Sequence, residues 1–171
     1  METWDAIRAR RNVREFSERP IGDADLERIL EAGRRAPSSK NWQPWDFVVV
    51  TERAVLIELA KVWRYGVSVA HSAATVALIG PVLDNEMQQG WLWFDCGQAM
   101  MSMLIEAADL GIGSGHSAVQ DQALLRALLG VPEDRFGVAL MPLGYPRDRP
   151  LVPIERPDRR PFDEVVHRER W

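Results

Sequence analysis

Three arginines and an asparagine fall within five residues near the start of the chain, at Arg10, Arg11, Asn12 and Arg14. Arginines two and four residues apart at a helix end or turn can converge on one anion, because each guanidinium can make a forked pair of hydrogen bonds to a phosphate. The amide of Asn12 could add a neutral hydrogen bond. A solvated basic turn has the same pattern, so this segment alone leaves an anion site and a plain turn as alternatives.

The segment Pro37–Trp45, with the sequence PSSKNWQPW, is an unusual connector. Its two prolines restrict the backbone and push the residue before each of them towards extended conformations. Ser38, Ser39 and Asn41 supply polar groups, and two tryptophans lie among them. A loop that is stiff, polar and aromatic can hold a flat ligand rich in heteroatoms. The alternative is a stiff connector whose tryptophans fill the core.

A third segment, Gly111–Ser117, has three glycines in five positions. Glycine permits positive φ angles and lets backbone N–H groups approach a ligand closely. The segment has neither the Gly-Lys-Ser/Thr ending of a phosphate-binding P-loop nor the spacing of a dinucleotide-binding fingerprint. His116 could donate to a ligand or could simply satisfy a structural hydrogen bond. A second concentration of arginine, at Arg156, Arg159 and Arg160, lies near the end of the sequence.

Hydrophobic periodicity indicates the elements that position these segments. Trp4 and Ile7 are expected to face inward on a first helix, and Asp23 is expected to cap a second. No strand precedes the first helix and no nucleotide-binding glycine pattern follows a strand, which favours an α+β fold over a doubly wound parallel sheet. The whole chain, residues 1–171, is predicted to be one domain. The predicted helices cover residues 3–10, 23–35, 53–63, 88–110 and 121–129, and the predicted buried strands cover residues 47–50, 73–79 and 136–143.

The predicted helix over residues 88–110 has little polar surface on any side. A helix that is apolar all round must be buried all round. Either a partner subunit or the chain itself could cover it, and the sequence favours neither. The proline-rich residues 147–171 are predicted to form an arm that lies on a surface, because Phe162 and Val166 provide apolar anchors.

The composition is that of a folded soluble protein, with 46% hydrophobic and 27% charged residues. The net charge of −4 argues against generic nucleic-acid binding. Cys96, the single cysteine, is expected to be a buried apolar side chain, and no metal site is expected. The first residues lack the features of a signal peptide and no stretch is typical of a membrane span, which predicts a cytoplasmic setting.

Taken in chain order, these segments resemble the nitroreductase family of FMN-dependent oxidoreductases over nearly the whole chain. Their order along the chain makes the match specific. Asn12 stands where the family usually has serine. Residues 81–90 form a shorter connection than in larger members, which could leave the substrate face more open. The matching segments are residues 10–16 (RRNVREF), 36–47 (APSSKNWQPWDF), Asp95 in the long helix, 110–113 (LGIG), 143–146 (LGYP) and 159–167 (RRPFDEVVH).

The resemblance implies a three-layer α+β fold with a central, mostly antiparallel sheet between helices. It also implies a homodimer in which the long buried helices pack across the interface and two FMN molecules lie between the subunits. Residues 147–171 would pack on the partner subunit. Neither a nucleic acid nor a membrane is implied as a partner.

The resemblance also assigns the site. Arg10 and Asn12 would hold the phosphate and ribityl oxygens, and Arg14 would lie near the N1/O2 edge of the flavin ring. The proline-rich loop would reach the same flavin from the partner chain, while the glycine segment would direct backbone donors towards the ring and its N5. No catalytic side chain is implied, because the flavin carries the chemistry. The full set of cofactor-binding residues is Arg10, Arg11, Asn12, Arg14, Pro37, Ser38, Ser39, Asn41, Gly115, His116, Ser117, Arg159 and Arg160.

The implied activity is a transfer of hydride from NAD(P)H to the flavin, followed by reduction of a nitroaromatic, quinone or similar acceptor in a ping-pong mechanism. Two alternatives exist within the same fold. One is a specialised flavin reaction, such as dehalogenation, a biosynthetic oxidation or flavin fragmentation, and the other is flavin binding without catalysis. Trp42, Trp63, Tyr65 and Trp93 could form aromatic walls, although core packing is the expectation for each.

Overall fold

A computed structural model describes all 171 residues of the chain. Apart from two short 3-10 helices at Ser39–Asn41 and Ala60–Val62, its regular structure consists of seven α-helices and four strands. In chain order they are α1 (Thr3–Ala9), α2 (Asp23–Arg34), β1 (Asp46–Val50), α3 (Arg53–Leu59), α4 (Val67–Ala70), β2 (Ala74–Pro81), α5 (Glu86–Asp109), β3 (Gly113–Ser114), α6 (Gln122–Leu129), β4 (Arg135–Gly144) and α7 (Phe162–Val165).

The four strands form one antiparallel sheet with the order β1-β2-β4-β3. The three predicted strands are confirmed, because each lies within or overlaps an observed one. The two-residue strand β3 was not predicted, since its residues Gly113 and Ser114 carry no β-forming side chains. It pairs with the end of β4 and so fixes the glycine segment to the sheet edge.

Strand β2 lies in the middle of three layers, and its side chains alternate between two cores. Ala77 and Ile79 pack with α3, α4 and α6 on one face of the sheet. Val76 and Leu78 pack with α2 and α5 on the other face. A strand that is apolar at nearly every position is buried on both faces. The predicted three-layer α+β fold is therefore confirmed.

Helix α5 is buried on one face only. Leu92, Asp95, Ala99 and Met103 are among the residues that the chain itself covers. The opposite face carries an apolar stripe, and its most exposed member, Phe94, keeps 67% of its surface accessible. The residues of this stripe recur at helical spacing and so lie along one side of the helix. The chain accordingly covers only part of the apolar surface that the sequence predicted to be buried. The apolar stripe consists of Met87, Trp91, Phe94 and Met101.

Cys96 lies on the covered side of α5, as the sequence predicts. Burial first, and then the charge of Asp95, raises the pKa of its thiol to about 12. Since the thiolate is the reactive form, we expect the native protein to resist iodoacetamide at pH 8. Unfolding exposes the thiol and returns its pKa towards about 8.5. Mass spectrometry should find Cys96 alkylated in urea but not in buffer, and equal labelling in both would contradict the buried position.

The first helix presents the opposite face to the one predicted from the sequence. Ala6 and Ala9 are buried, whereas Trp4 and Ile7 remain 66% and 41% exposed. The small alanine side chains let α1 lie close to α5, and large side chains would hold the two helices apart. The capping prediction for Asp23 is also wrong, because Gly22 is the N-cap residue and no side chain caps the helix. Asp23 instead lies in the first turn, where a negative charge favours the helix dipole.

The arm, residues 147–171, leaves the sheet after β4 and follows α1. The N–H of Ile154 donates to the carbonyl of Arg8 at 3.1 Å, and the Arg8 side chain pairs with Glu155. Every residue from Glu155 onwards is exposed, including Phe162 in α7. The second half of the arm therefore has apolar side chains without a partner in its own chain. None of the helices has the length and apolar character needed to cross a membrane.

Candidate functional site

Arg10 stands at the end of α1 as a half-buried cation with no acidic partner. Its Nη2 donates to the Asn12 side-chain oxygen at 3.2 Å, and its Nε is buried without any hydrogen-bond partner. Burial first, and then the positive charge of Arg159, lowers the pKa of Arg10. A buried, unpaired donor beside a second cation is unfavourable unless an anion joins it. This position therefore has the properties of an anion site.

The other predicted arginines differ from Arg10 in their surroundings. Arg11 turns to the arm, where its guanidinium donates to the carbonyls of Arg149 and Pro150. Arg160 pairs with Glu164 in the next turn of the arm. Arg14 is exposed and faces open cavities. The charge of Arg159 contributes to the lowered pKa of Arg10, while its own guanidinium donates to the carbonyl of Asp158 at 2.6 Å. Arg11 and Arg160 also have partners within the arm.

Backbone pairing places the arginine segment beside the glycine segment. The N–H of Val13 donates to the carbonyl of Ser114 at 2.8 Å, next to a parallel bridge between Asn12 and Ser114. A Cβ atom at Gly113 would lie 2.9 Å from the Val13 side chain, so only glycine permits this approach. The sequence predicts a close approach of this segment to a ligand, whereas the close approach seen here is to the arginine segment of the same chain.

Of the three backbone donors predicted in the glycine segment, two are used by the sheet. The N–H of Gly115 donates to the carbonyl of Pro142, and that of Ser117 donates to the carbonyl of Leu140. The N–H of His116 has no acceptor in the chain. The Ser117 hydroxyl is buried and also lacks a partner. One backbone donor, not three, is free to meet a ligand here.

A cavity of about 590 Å³ opens where these segments meet. Asn12, Arg14 and His116 line it together with a wall formed by Trp63 and Tyr65. The two rings meet edge to face at 5.1 Å, and Tyr65 is exposed. Trp42 and Trp93 are exposed as well. The expectation of core packing is therefore wrong for Tyr65, Trp42 and Trp93, which remain available to contact a ligand or a partner.

The proline-rich loop, Pro37–Trp45, is ordered by hydrogen bonds within the loop and to helix α5. The N–H of Gln43 donates to the Ser38 hydroxyl at 2.8 Å, and the N–H of Ser39 donates to the carboxylate of Asp95 at 2.9 Å. Asn41 accepts two hydrogen bonds from the Gln43 amide. The sequence pointed to Asp95 only as a matching position in the long helix and gave it no role.

The loop and the arginines line different cavities of one chain. The loop lines a cavity of about 780 Å³ through Ser39, Lys40 and Trp42, together with two residues of α5, Gln88 and Trp91. That cavity shares no residue with the one at Asn12 and His116. A single chain thus presents two separate polar and aromatic surfaces.

The fold is that of a small α+β protein, with a candidate anion site at Arg10 and two separate cavities that have aromatic walls. The sequence model described as "Nitroreductase family" matches residues 7–145. The chain therefore belongs to the nitroreductase family, which is a family of oxidoreductases. A protein of Archaeoglobus fulgidus, named provisionally as an NADH dehydrogenase/NAD(P)H nitroreductase, is 36% identical over 99% of both chains. A relative of the same provisional name from Methanothermobacter thermautotrophicus is 31% identical over 100% of this chain and 88% of its own.

Solved structures agree with this assignment. A Desulfovibrio desulfuricans protein, provisionally named a nitroreductase and solved in complex with FMN, has 28% identity. Its TM-score is 0.81, with 97% of this chain and 95% of that chain covered. A protein from Clostridium acetobutylicum, named provisionally as an NADH oxidase, has a TM-score of 0.85 at 24% identity and covers 98% of this chain and 100% of its own. The likeness to the Clostridium acetobutylicum protein shows that the two chains share a fold.

Proposed function

We propose that this protein is an FMN-dependent oxidoreductase that takes hydride from NAD(P)H and reduces a nitroaromatic, quinone or similar acceptor. The observation that carries the proposal is Arg10, whose half-buried guanidinium has an unpartnered Nε and a second cation, Arg159, near it. The names of the relatives, and the FMN complex of the Desulfovibrio desulfuricans protein, support the choice of flavin and electron donor.

The residues present fit FMN in three respects. The phosphate dianion would satisfy the unpaired donors of Arg10 and relieve its repulsion with Arg159. The free N–H of His116 offers one hydrogen bond to the edge of a flat ring. The cavity beside it has aromatic walls from Trp63 and Tyr65. Asn12, at the position where serine is usual in the family, keeps a hydrogen-bonding group, and its amide is already held by Arg10.

In this proposal the chain binds and orients, and the bound FMN supplies the chemistry by accepting hydride and passing electrons to the acceptor. Arg10, Asn12 and Arg159 hold the phosphate and ribityl end. Arg14 places a positive charge near the ring, where it favours the anionic reduced form and raises the reduction potential. His116 orients the ring through its backbone N–H. No side-chain acid is required, and the two substrates would bind one after the other.

We further propose that the site is completed in a homodimer. The apolar stripe on α5 and the exposed apolar side chains of the arm supply surfaces for a second copy of the chain. Ser38, Ser39 and Asn41 would then reach the flavin held by the arginines of the partner subunit. The separation of the loop and Asn12 into two cavities of one chain supports this arrangement, because a second copy could bring the two surfaces together.

Anaerobic mixing tests the function directly. Purified protein should carry flavin absorbance, which NADH or NADPH should bleach and a quinone or nitroaromatic should then restore. Flavin that stays oxidised with both donors would favour flavin binding without catalysis. Bleaching without reoxidation by either acceptor class would favour a specialised flavin reaction. Protein that neither contains nor binds FMN would overturn the proposal as a whole.

A further inference from the structure

Asp95 is a fully buried carboxylate on the covered side of α5, and no arginine, lysine or histidine pairs with it. A buried charge without a cation is costly unless hydrogen bonds satisfy it. Asp95 accepts three: from the Ser39 N–H at 2.9 Å, from the Ser39 hydroxyl at 3.4 Å and from the Gln98 amide at 3.5 Å. The shortest of them joins the helix to the backbone of the proline-rich loop.

The loop needs such a restraint, because its backbone is strained directly after Ser39. Lys40, Asn41 and Gln43 all have positive φ angles, of 53°, 57° and 52°. Residues other than glycine seldom adopt this region, asparagine more readily than most, and lysine and glutamine remain there only where the surroundings hold them. The Ser39 N–H bond to Asp95 precedes the strained residues, and the Gln43 N–H bond to Ser38 closes the segment.

We infer that Asp95 is a positioning residue that holds the Ser38–Gln43 segment in the conformation required to bind FMN. It acts through Ser39 and does not touch the cofactor. The cofactor part of this inference rests on the proposed function, whereas the restraint on the loop does not. A carboxylate suits the task because it only accepts hydrogen bonds, so both donors of Ser39 find an acceptor in it. An amide at this position would direct its own N–H groups into the same space.

Helix α5 carries this carboxylate and the apolar stripe on opposite sides. Phe94, next to Asp95 in the sequence, belongs to the exposed stripe, while Asp95 faces inward. One rigid helix therefore connects the position of the loop with the surface proposed for the partner subunit. Through Asp95, each chain would present its loop in a fixed orientation relative to that surface.

The first test uses the wild-type protein without cofactor. Amide hydrogen exchange, resolved by residue with NMR, should show that the Ser39 N–H is protected about as well as the neighbouring part of α5. The N–H of Lys40, which has no acceptor in the chain, should exchange quickly. Fast exchange at Ser39 would overturn the inference whether or not the protein binds FMN.

The second test uses the nearly isosteric substitution Asp95→Asn. We expect exchange to rise in residues 38–43 and the Kd for FMN to rise about 10- to 100-fold, the usual effect of losing a charged hydrogen bond. Turnover with NADH should be lost at limiting FMN and recovered at saturating FMN. A general loss of stability would instead raise exchange throughout the chain.

Thr75→Val is the matched control, because it removes another buried hydrogen bond, 2.9 Å to Ser72, in β2 and away from the loop. It should lower the melting temperature without changing the Kd for FMN. Wild-type exchange and wild-type FMN affinity in Asp95→Asn would overturn the inference. Wild-type protein that fails to bind FMN would refute the proposed function, and the exchange experiments would still decide whether Asp95 restrains the loop.

Discussion

Replacing Arg10 with alanine is expected to raise the Kd for FMN by about 100-fold or more, because a phosphate loses at least two charge-assisted hydrogen bonds. The fold should persist. The pKa of Arg10 is lowered by burial and by the charge of Arg159, so the free protein gains nothing from this cation. The melting temperature of the cofactor-free variant should accordingly equal or exceed that of the wild type. Quenching of FMN fluorescence during titration would measure the Kd, and thermal unfolding would measure the stability.

Arg34→Ala is a suitable control for the loss of one positive charge. Arg34 is exposed on α2, and its partner Glu31 keeps a second arginine, Arg35. This variant should bind FMN as the wild type does. Arg10→Lys should give an intermediate affinity, since lysine keeps the charge and loses the forked geometry. Normal FMN binding by Arg10→Ala would show that the phosphate lies elsewhere.

Replacing Phe94 with glutamate should convert the proposed dimer to a monomer. Phe94 is the most exposed member of the apolar stripe, and a twofold interface would bury it once from each chain. Each copy would then forfeit about 1.5–3 kcal/mol of apolar burial and place a carboxylate against an apolar surface. A rise of more than about 1,000-fold in the dimer Kd is expected. Analytical ultracentrifugation would measure it, and bound flavin should fall in parallel.

Ile57→Glu gives the matching control on a surface outside the stripe. Ile57 is an exposed apolar residue of α3, on the opposite side of the sheet from α5. It should leave the dimer intact. A Phe94→Glu protein that still sediments as a dimer would place the subunit interface on another surface and would remove the reason for assigning the loop to the partner's flavin.

The sequence predicted the strands and the long helices well because their signals are local. A run of β-branched residues and an apolar period of 3.6 depend on few neighbours. The facing of α1 could not be predicted in the same way. Its large side chains, Trp4 and Ile7, indicated burial, but the observed face was decided by how closely alanine lets two helices pack. Close packing depends on both helices together, so a single segment does not reveal it.

The same distinction between local signals and contacts across the chain applies to the site. The sequence alone identified Arg10, His116 and the proline-rich loop as candidates, because each lies in a motif of unusual composition. The sequence could not tell Arg10 from Arg11, since the difference is the presence of arm carbonyls that lie about 138 residues further along the chain. Nor could it separate the free N–H of His116 from those of Gly115 and Ser117, because strand pairing with β4 decides which donors remain.

The division of the polar groups between two surfaces of one chain has a genetic consequence. In the proposed dimer, each centre takes its arginines from one chain and its loop from the other. A chain defective at Arg10 and a chain defective in the loop would each be inactive as homodimers. In a mixed dimer both defects would fall in the same centre, and the other centre would be intact. Two loss-of-function alleles of this kind would complement each other when expressed in one cell.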